Sequence, residues 1–255
     1  MKKQSIVFLI LVAVVLQSCN VFMNHVKPEG SKVTDVYSVS DFDKIVISGK
    51  MSLILVNGEQ NLRIETFENV HEYIETPVRN GELTIKTRNV NFSKDPKITI
   101  FVTADLISKI STSGSSDICF VDYQTNDITV KTSGSSNAHG SLTASSVVLN
   151  SSGSSEADLQ LDCKSLTNGD SGSSKYKLKG WADNYEISCS GSSNIEAFNL
   201  ETKRMTVKSS GSAKIDATVL ETLNVNISGS GRVRYKGNPQ VSQKISGSGK
   251  VESVK

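Results

Sequence analysis

The tripeptide Ser-Gly-Ser stands at eight places in this chain, centred on Gly114, Gly134, Gly153, Gly172, Gly191, Gly211, Gly229 and Gly247. The steps between them are 20, 19, 19, 19, 20, 18 and 18 residues, and both flanking serines are kept in every copy. A fixed period of this length marks a chain that stacks one supersecondary unit on the next. A single unit is too small to bury its own apolar face, so its neighbours must supply the core.

Aligned on the glycine, the apolar residues fall into columns. Four positions before it stand Ile110, Val130, Leu149, Ile187, Val207 and Val225, with Asn168 and Gln243 as exceptions. Four positions after it stand Ile118, Ala138, Ala157, Tyr176, Ile195, Ile215, Val233 and Val251. Apolar residues two apart with polar ones between them specify strands with one buried face, and helical spacing is absent. The expected fold is all-β: a parallel β-helix, or β-solenoid, of coils of about 19 residues with Ser-Gly-Ser at the corners. Coils spaced ~4.8 Å apart give eight of them a length of roughly 38 Å.

Glycine allows a tight corner without steric cost. The serines beside it are expected to hydrogen-bond from coil to coil where the corner interrupts the backbone ladder. This makes them scaffold, and not a comb of hydroxyls for a ligand. On the same ground Gly172→Val should damage the fold far more than Ser174→Ala, because Ala213 and Gly231 replace serine at the latter offset. Residues 41–110 lack the tripeptide but keep strand-like runs punctuated by the turn signals Asn57-Gly58 and Asn80-Gly81. They are expected to form the first, less regular coils and to cap that end. At the other end Lys244, Lys250 and Lys255 are placed to discourage edge pairing.

The N-terminus carries an address. Met1-Lys2-Lys3 is followed by an uncharged run from Ile6 to Leu16, the shape of a secretory leader, and too short to span a bilayer. It ends in Leu16-Gln17-Ser18-Cys19, which resembles a bacterial lipobox. The chain is therefore expected to divide into a signal peptide over 1–18, a lipidated N-terminus and tether over 19–40, and the solenoid over 41–255. Cys19 is the expected lipidation site, and several acyl chains there would anchor the protein stably to a membrane.

Of 28 basic side chains, Lys2 and Lys3 leave with the leader, so 26 remain against 26 acidic ones. That balance argues against a nucleic-acid partner. Cys119, Cys163 and Cys189 are odd in number and irregular in spacing, which implies no disulfide framework. With no CxxC and with His25, His71 and His139 far apart, no metal or other cofactor is expected.

Three features together resemble one family. They are Asp41-Phe42-Asp43-Lys44-Ile45-Val46-Ile47-Ser48-Gly49, the Ser-Gly-Ser ladder, and the ending Gly229-Ser230-Gly231-Arg232-Val233-Arg234-Tyr235-Lys236-Gly237-Asn238-Pro239. The chain is similar in these to the GIN domain, the head domain named for auto-transporter adhesins of Gram-negative envelopes. The resemblance implies a β-helical envelope protein with no catalytic residues to carry over. With the lipobox, it implies an outer-membrane lipoprotein facing the periplasm or the surface.

Solenoids of this shape include polysaccharide lyases and hydrolases, which need two carboxylates across the scissile bond. Here the acids scatter among columns, and His139 is the single histidine of the repeats, so no enzyme is expected. Asp170 stands out because other coils place Thr112, Thr132, Ser151 or Cys189 at its offset, and an inward carboxylate is costly unless paired. It is expected to mark an open, hydrated coil. The expected function is a structural, adhesion-type or binding module, with carbohydrate binding as the alternative. Tyr123, Trp181, Tyr185 and Phe198 either cover the core at coil corners or serve as ligand contacts, and envelope glycans or proteins are the candidate partners.

Overall fold

A computed structural model describes residues 24–254. The apolar columns draw the chain into long bent strands, of which Asn137–Ser151, Glu156–Asp170, Lys175–Cys189, Asn194–Ser209 and Lys214–Ile227 each make most of one coil. Successive strands pair in parallel, one period apart. The register runs Ala138, Ala157, Tyr176, Ile195, Ile215 in one column and Leu149, Asn168, Ile187, Val207, Val225 in another. All of these side chains are buried, and together they form one continuous core. The expected parallel β-solenoid is what this sequence folds into.

Each coil turns at two places. Within four central strands the in–out alternation changes phase at the same place, between Ala144 and Val147, Cys163 and Leu166, Ala182 and Tyr185, and Thr202 and Met205. Ser145, Lys164, Asp183 and Lys203 drop out of the pairing there, which marks a bend. The other turn is at Ser-Gly-Ser. A β-carbon on Gly153, Gly172 or Gly191 would lie within 2.0 Å of the carbonyl oxygen of the preceding coil's glycine. Glycine is required at these three because coil backbones stack in contact, more than for its freedom in φ.

Ser113 and Ser133 bond to the neighbouring coil as expected, but most of the flanking serines do not play that part. The backbone ladder runs through the corner: Ser171 and Ser190 N–H donate to Ser151 and Asp170 carbonyls, and Ser173 and Ser192 N–H to Gly153 and Gly172 carbonyls. With those groups already satisfied, the hydroxyls are not needed for closure, and the serines on both sides of the glycine are exposed. The buried hydroxyl ladder lies one residue further out. Thr112 Oγ1 bonds Ser136 Oγ at 2.9 Å, Ser155 Oγ bonds Thr132 Oγ1 at 2.9 Å, and Ser174 Oγ bonds Ser151 Oγ at 2.8 Å. Ser174 is thus a buried structural residue, contrary to its placing as a dispensable neighbour of the repeat. The next rung is Ser193 Oγ donating to Asp170 Oδ2, while Gly172 N–H donates to Asp170 Oδ1 at 2.8 Å. Asp170 is 4% exposed and held by two donors, so its coil is closed and not open.

The N-terminal end is built out of chain order. Strand Lys44–Gly49 lies between Glu82–Thr87 and Lys109–Gly114, in parallel with both. Ser52–Val56 likewise lies between Thr99–Thr103 and Asp117–Gln124. Lys44–Gly49 and Ser52–Val56, though earlier in sequence than Glu82–Thr87 and Thr99–Thr103, therefore form the second coil of the stack. Asn61–Phe67 covers Thr99–Thr103 in antiparallel fashion, and Lys32–Val36 covers Asn61–Phe67. This cap takes in most of the expected tether. Asn24–Val26 pairs with Val90–Phe92, Pro28 is buried, and Tyr37 Oη meets His71 Nδ1 at 2.9 Å. Residues 24–40 belong to the fold because these backbone groups find partners in it. The leader, Cys19 and Lys255 lie outside the described residues. At the far end Gln240–Ile245 and Lys250–Ser253 pair on one side only, with Lys244 and Lys250 exposed.

Candidate functional site

The four aromatic candidates do not form a strip. Tyr123 is fully buried beside Phe120, and its hydroxyl accepts from Ile107 N–H at 3.0 Å. Burial pushes its phenol up to about 12. Tyr185 stands in the inward column with Leu166 and Met205, and its hydroxyl donates to Asn168 Oδ1 at 3.2 Å. A tyrosine's polar tip obscures such an inward position in the sequence. Trp181 and Phe198 are partly exposed, but each is covered by cations. Lys203 lies 5.4 Å from the Trp181 ring centre, and Arg234 and Lys236 lie 5.5 and 5.1 Å from that of Phe198. Arg234 is itself fixed by a bidentate pair with the buried Asp216 at 2.7 and 2.5 Å. No ring contact joins the four among the described residues. Nor, among these residues, do three His, Cys, Asp or Glu side chains gather in a metal-ligating group.

The concave surface of the molecule lies elsewhere, on the face that leads into the Ser-Gly-Ser corner. A groove of about 910 Å³ runs along the solenoid axis there. It arises from side-chain size. Two outward columns line it, one and three residues before the glycine, both mostly short side chains, and the inward column between them, from Thr112 to Ser209, also contributes. The first column is serine in every coil, from Ser113, Ser133 and Ser152 through Ser171, Ser190 and Ser210 to Ser228. The second presents Ser111, Lys131, Asn150, Ser188, Lys208 and Asn226, with Gly169 between the two asparagines.

Most of these hydroxyls are free. Ser113 Oγ bonds Ser48 Oγ at 3.2 Å and Ser133 Oγ bonds the Thr112 carbonyl at 3.2 Å. Ser152, Ser171, Ser190, Ser210 and Ser228 make no side-chain hydrogen bond within the chain among the described residues. Seven serines at ~4.8 Å spacing make a row roughly 29 Å long. The charge is one-sided: neither outward column holds a carboxylate, and Asp170 turns its own inward. Lys208 is held by Glu186 at 2.7 Å, and Lys131 has no ion-pair partner among the described residues. The arrangement offers repeated donors and acceptors to something long. It holds no nucleophile–base pair. The serine column was visible in the sequence, but its exposure was not.

Comparison with solved structures gives close agreement of fold. A putative lipid-binding protein of Parabacteroides distasonis superposes with a TM-score of 0.84 at 24% identity, over 91% of this chain and 100% of that one. A putative adhesin of Parabacteroides merdae gives 0.81 at 24% identity, with the same coverage of both chains. One from Bacteroides fragilis gives 0.70 at 22% identity, over 90% of this chain and 100% of that one. At these identities the likeness is one of fold. A search of curated proteins finds no match. The model of the family described as "Putative auto-transporter adhesin, head GIN domain" matches residues 41–239, from Asp41 to Pro239. That match takes in all the central coils and most of the chain, so the protein belongs to the GIN-domain family.

Proposed function

We propose that this protein is a non-enzymatic, adhesin-type binding module of the bacterial envelope, tethered by lipid on Cys19, with the serine-lined groove as its binding surface. The observation that carries this is the separation of roles among the serines. The backbone ladder and the buried hydroxyl rungs hold the coils together. Five of the seven outward serines are left without structural work, yet serine recurs in every coil that carries Ser-Gly-Ser. A regular row of unspent hydrogen-bonding groups on a rigid solenoid face suits an extended ligand. Membership of a family named for adhesins and the leader ending at Cys19 support an envelope location. An outer-membrane anchor, facing the periplasm or the surface, fits both.

Two substitutions test the two halves of this proposal. Cys19→Ala should abolish labelling with a palmitate analogue and release the protein from the membrane fraction. Continued labelling would refute the anchor. Ser152→Tyr with Ser190→Tyr should fill the groove, leave the melting temperature within about 2 °C because both sites are exposed, and remove binding to envelope preparations. Undiminished binding by this variant would refute the groove as the binding surface.

A further inference from the structure

We infer that the groove binds a linear glycan lying along the solenoid axis, with successive sugar residues met by successive coils. This rests on the groove being the binding surface, and goes further in naming what occupies it. The repeat comes first: the outward serines present one hydroxyl per coil, every ~4.8 Å, a step close to the length of one pyranose residue. Only a polymer with a short, regular, polar repeat can use every coil alike.

The chemistry of the lining points the same way. Hydroxyls both donate and accept, and Asn150 and Asn226 add amides that do both. Sugar hydroxyls also do both, so a glycan can satisfy the row at every step. An extended peptide fits poorly. Strand addition needs an open sheet edge, and here the backbone groups of the groove strands are already paired with coils on both sides. Lys131, with no ion-pair partner among the described residues, adds a cation without an opposing outward carboxylate. Uronic-acid residues are therefore accepted as readily as neutral ones, and bind more tightly at low salt.

Each contact is exposed to water and is worth little alone, so affinity must accumulate with length. The test uses the full chain in detergent, titrated with glucan, N-acetylglucosamine and polyuronate oligosaccharides from disaccharide to decasaccharide. Binding should be undetectable for disaccharides and should strengthen with each added residue. Changing Ser152, Ser171, Ser190 and Ser210 together to Ala should weaken decasaccharide binding about tenfold or more, with little change in melting temperature. A milder block, Ser190→Gln, should weaken long chains and spare short ones.

Affinity independent of length, or unchanged in the four-serine variant, overturns the inference. If no oligosaccharide binds while the tyrosine-blocked variant loses envelope binding, the groove stands and the glycan falls. If phosphatidylethanolamine vesicles bind and the block removes that binding, the occupant is lipid and the inference is wrong. If glycans bind equally well to the blocked variant, the groove itself is not the site.

Discussion

Three kinds of residue at one corner behave differently under substitution, because three different physical demands act on them. Gly172 is fixed by contact: a β-carbon there would lie 2.0 Å from the Gly153 carbonyl oxygen, a backbone atom that cannot move aside without shifting the coil. Gly172→Ala should therefore cost about 3 kcal/mol, a fall in melting temperature on the order of 5–10 °C. Ser174 is fixed by its bonds to Ser151 Oγ and, at 3.5 Å, to the Gly153 carbonyl. Ser174→Ala should cost about 1–3 kcal/mol, most of it from leaving a buried partner unsatisfied. Ser173 between them is exposed, and Ser173→Ala should stay within about 0.5 kcal/mol. Thermal denaturation of the three variants side by side checks the order. Equal melting temperatures for Ser173→Ala and Ser174→Ala would mean that the inner rung contributes nothing.

Between neighbouring coils, the residue two before one glycine meets the residue two after the next. The pairs are matched in size and polarity. Thr112 with Ser136, Thr132 with Ser155, and Ser151 with Ser174 are hydroxyl rungs. Further along, buried Cys189 falls to the offset of Ala213, and Ile227 to that of Gly249. A β-carbon on Gly249 would come within 2.5 Å of Ile227 Cγ2, so the larger side chain needs the glycine. One pair is incomplete: Ser209 Oγ is buried without a partner, and Gly231 stands opposite with no side chain. Gly231→Ser should restore that rung and stabilise the protein by about 1 kcal/mol. The melting temperature should rise by roughly 2–4 °C. Gly249→Ser, the same change one coil later, should destabilise instead. A fall in melting temperature for Gly231→Ser would show that the rungs are not interchangeable between coils.

At the scale of the whole molecule, stability is close to a sum over coils and the interfaces between them. The period that defines a coil should therefore be the unit in which the chain can be shortened. Excising residues 154–172 joins Gly153 to Ser173 and leaves every column in place. Thr132 then faces Ser174, and Ser151 faces Ser193, so both rungs remain hydroxyl pairs. The shortened protein should keep its β-sheet circular dichroism and a single cooperative melt a few degrees lower. Excising residues 154–163 instead throws every later residue off its column and should prevent folding. A folded, cooperative product from the second deletion would break the link between period and architecture. The groove should shorten by one serine in the first deletion, which offers a second measure of length-dependent binding.

The sequence by itself determined the architecture, because the apolar columns and the glycine spacing act at every coil and agree with one another. It also determined where the corners lie, since only glycine tolerates backbone stacking in contact. It misled on the serines. Exposed and buried serines are the same letters, and which offset points inward depends on how the backbone turns at the corner. For the same reason Asp170 read as a solvated break, when Ser193 from the next coil and the nearby Gly172 N–H satisfy its carboxylate. Tyr123 and Tyr185 read either as core cover or as ligand contacts, and their burial decides for the core. Residues 24–40 read as a tether because their partners, such as Val90–Phe92 and His71, are distant in sequence. The groove likewise needed tertiary structure. Its lining is chiefly two columns of short residues, and only stacking the coils turns a list of small side chains into a continuous trough.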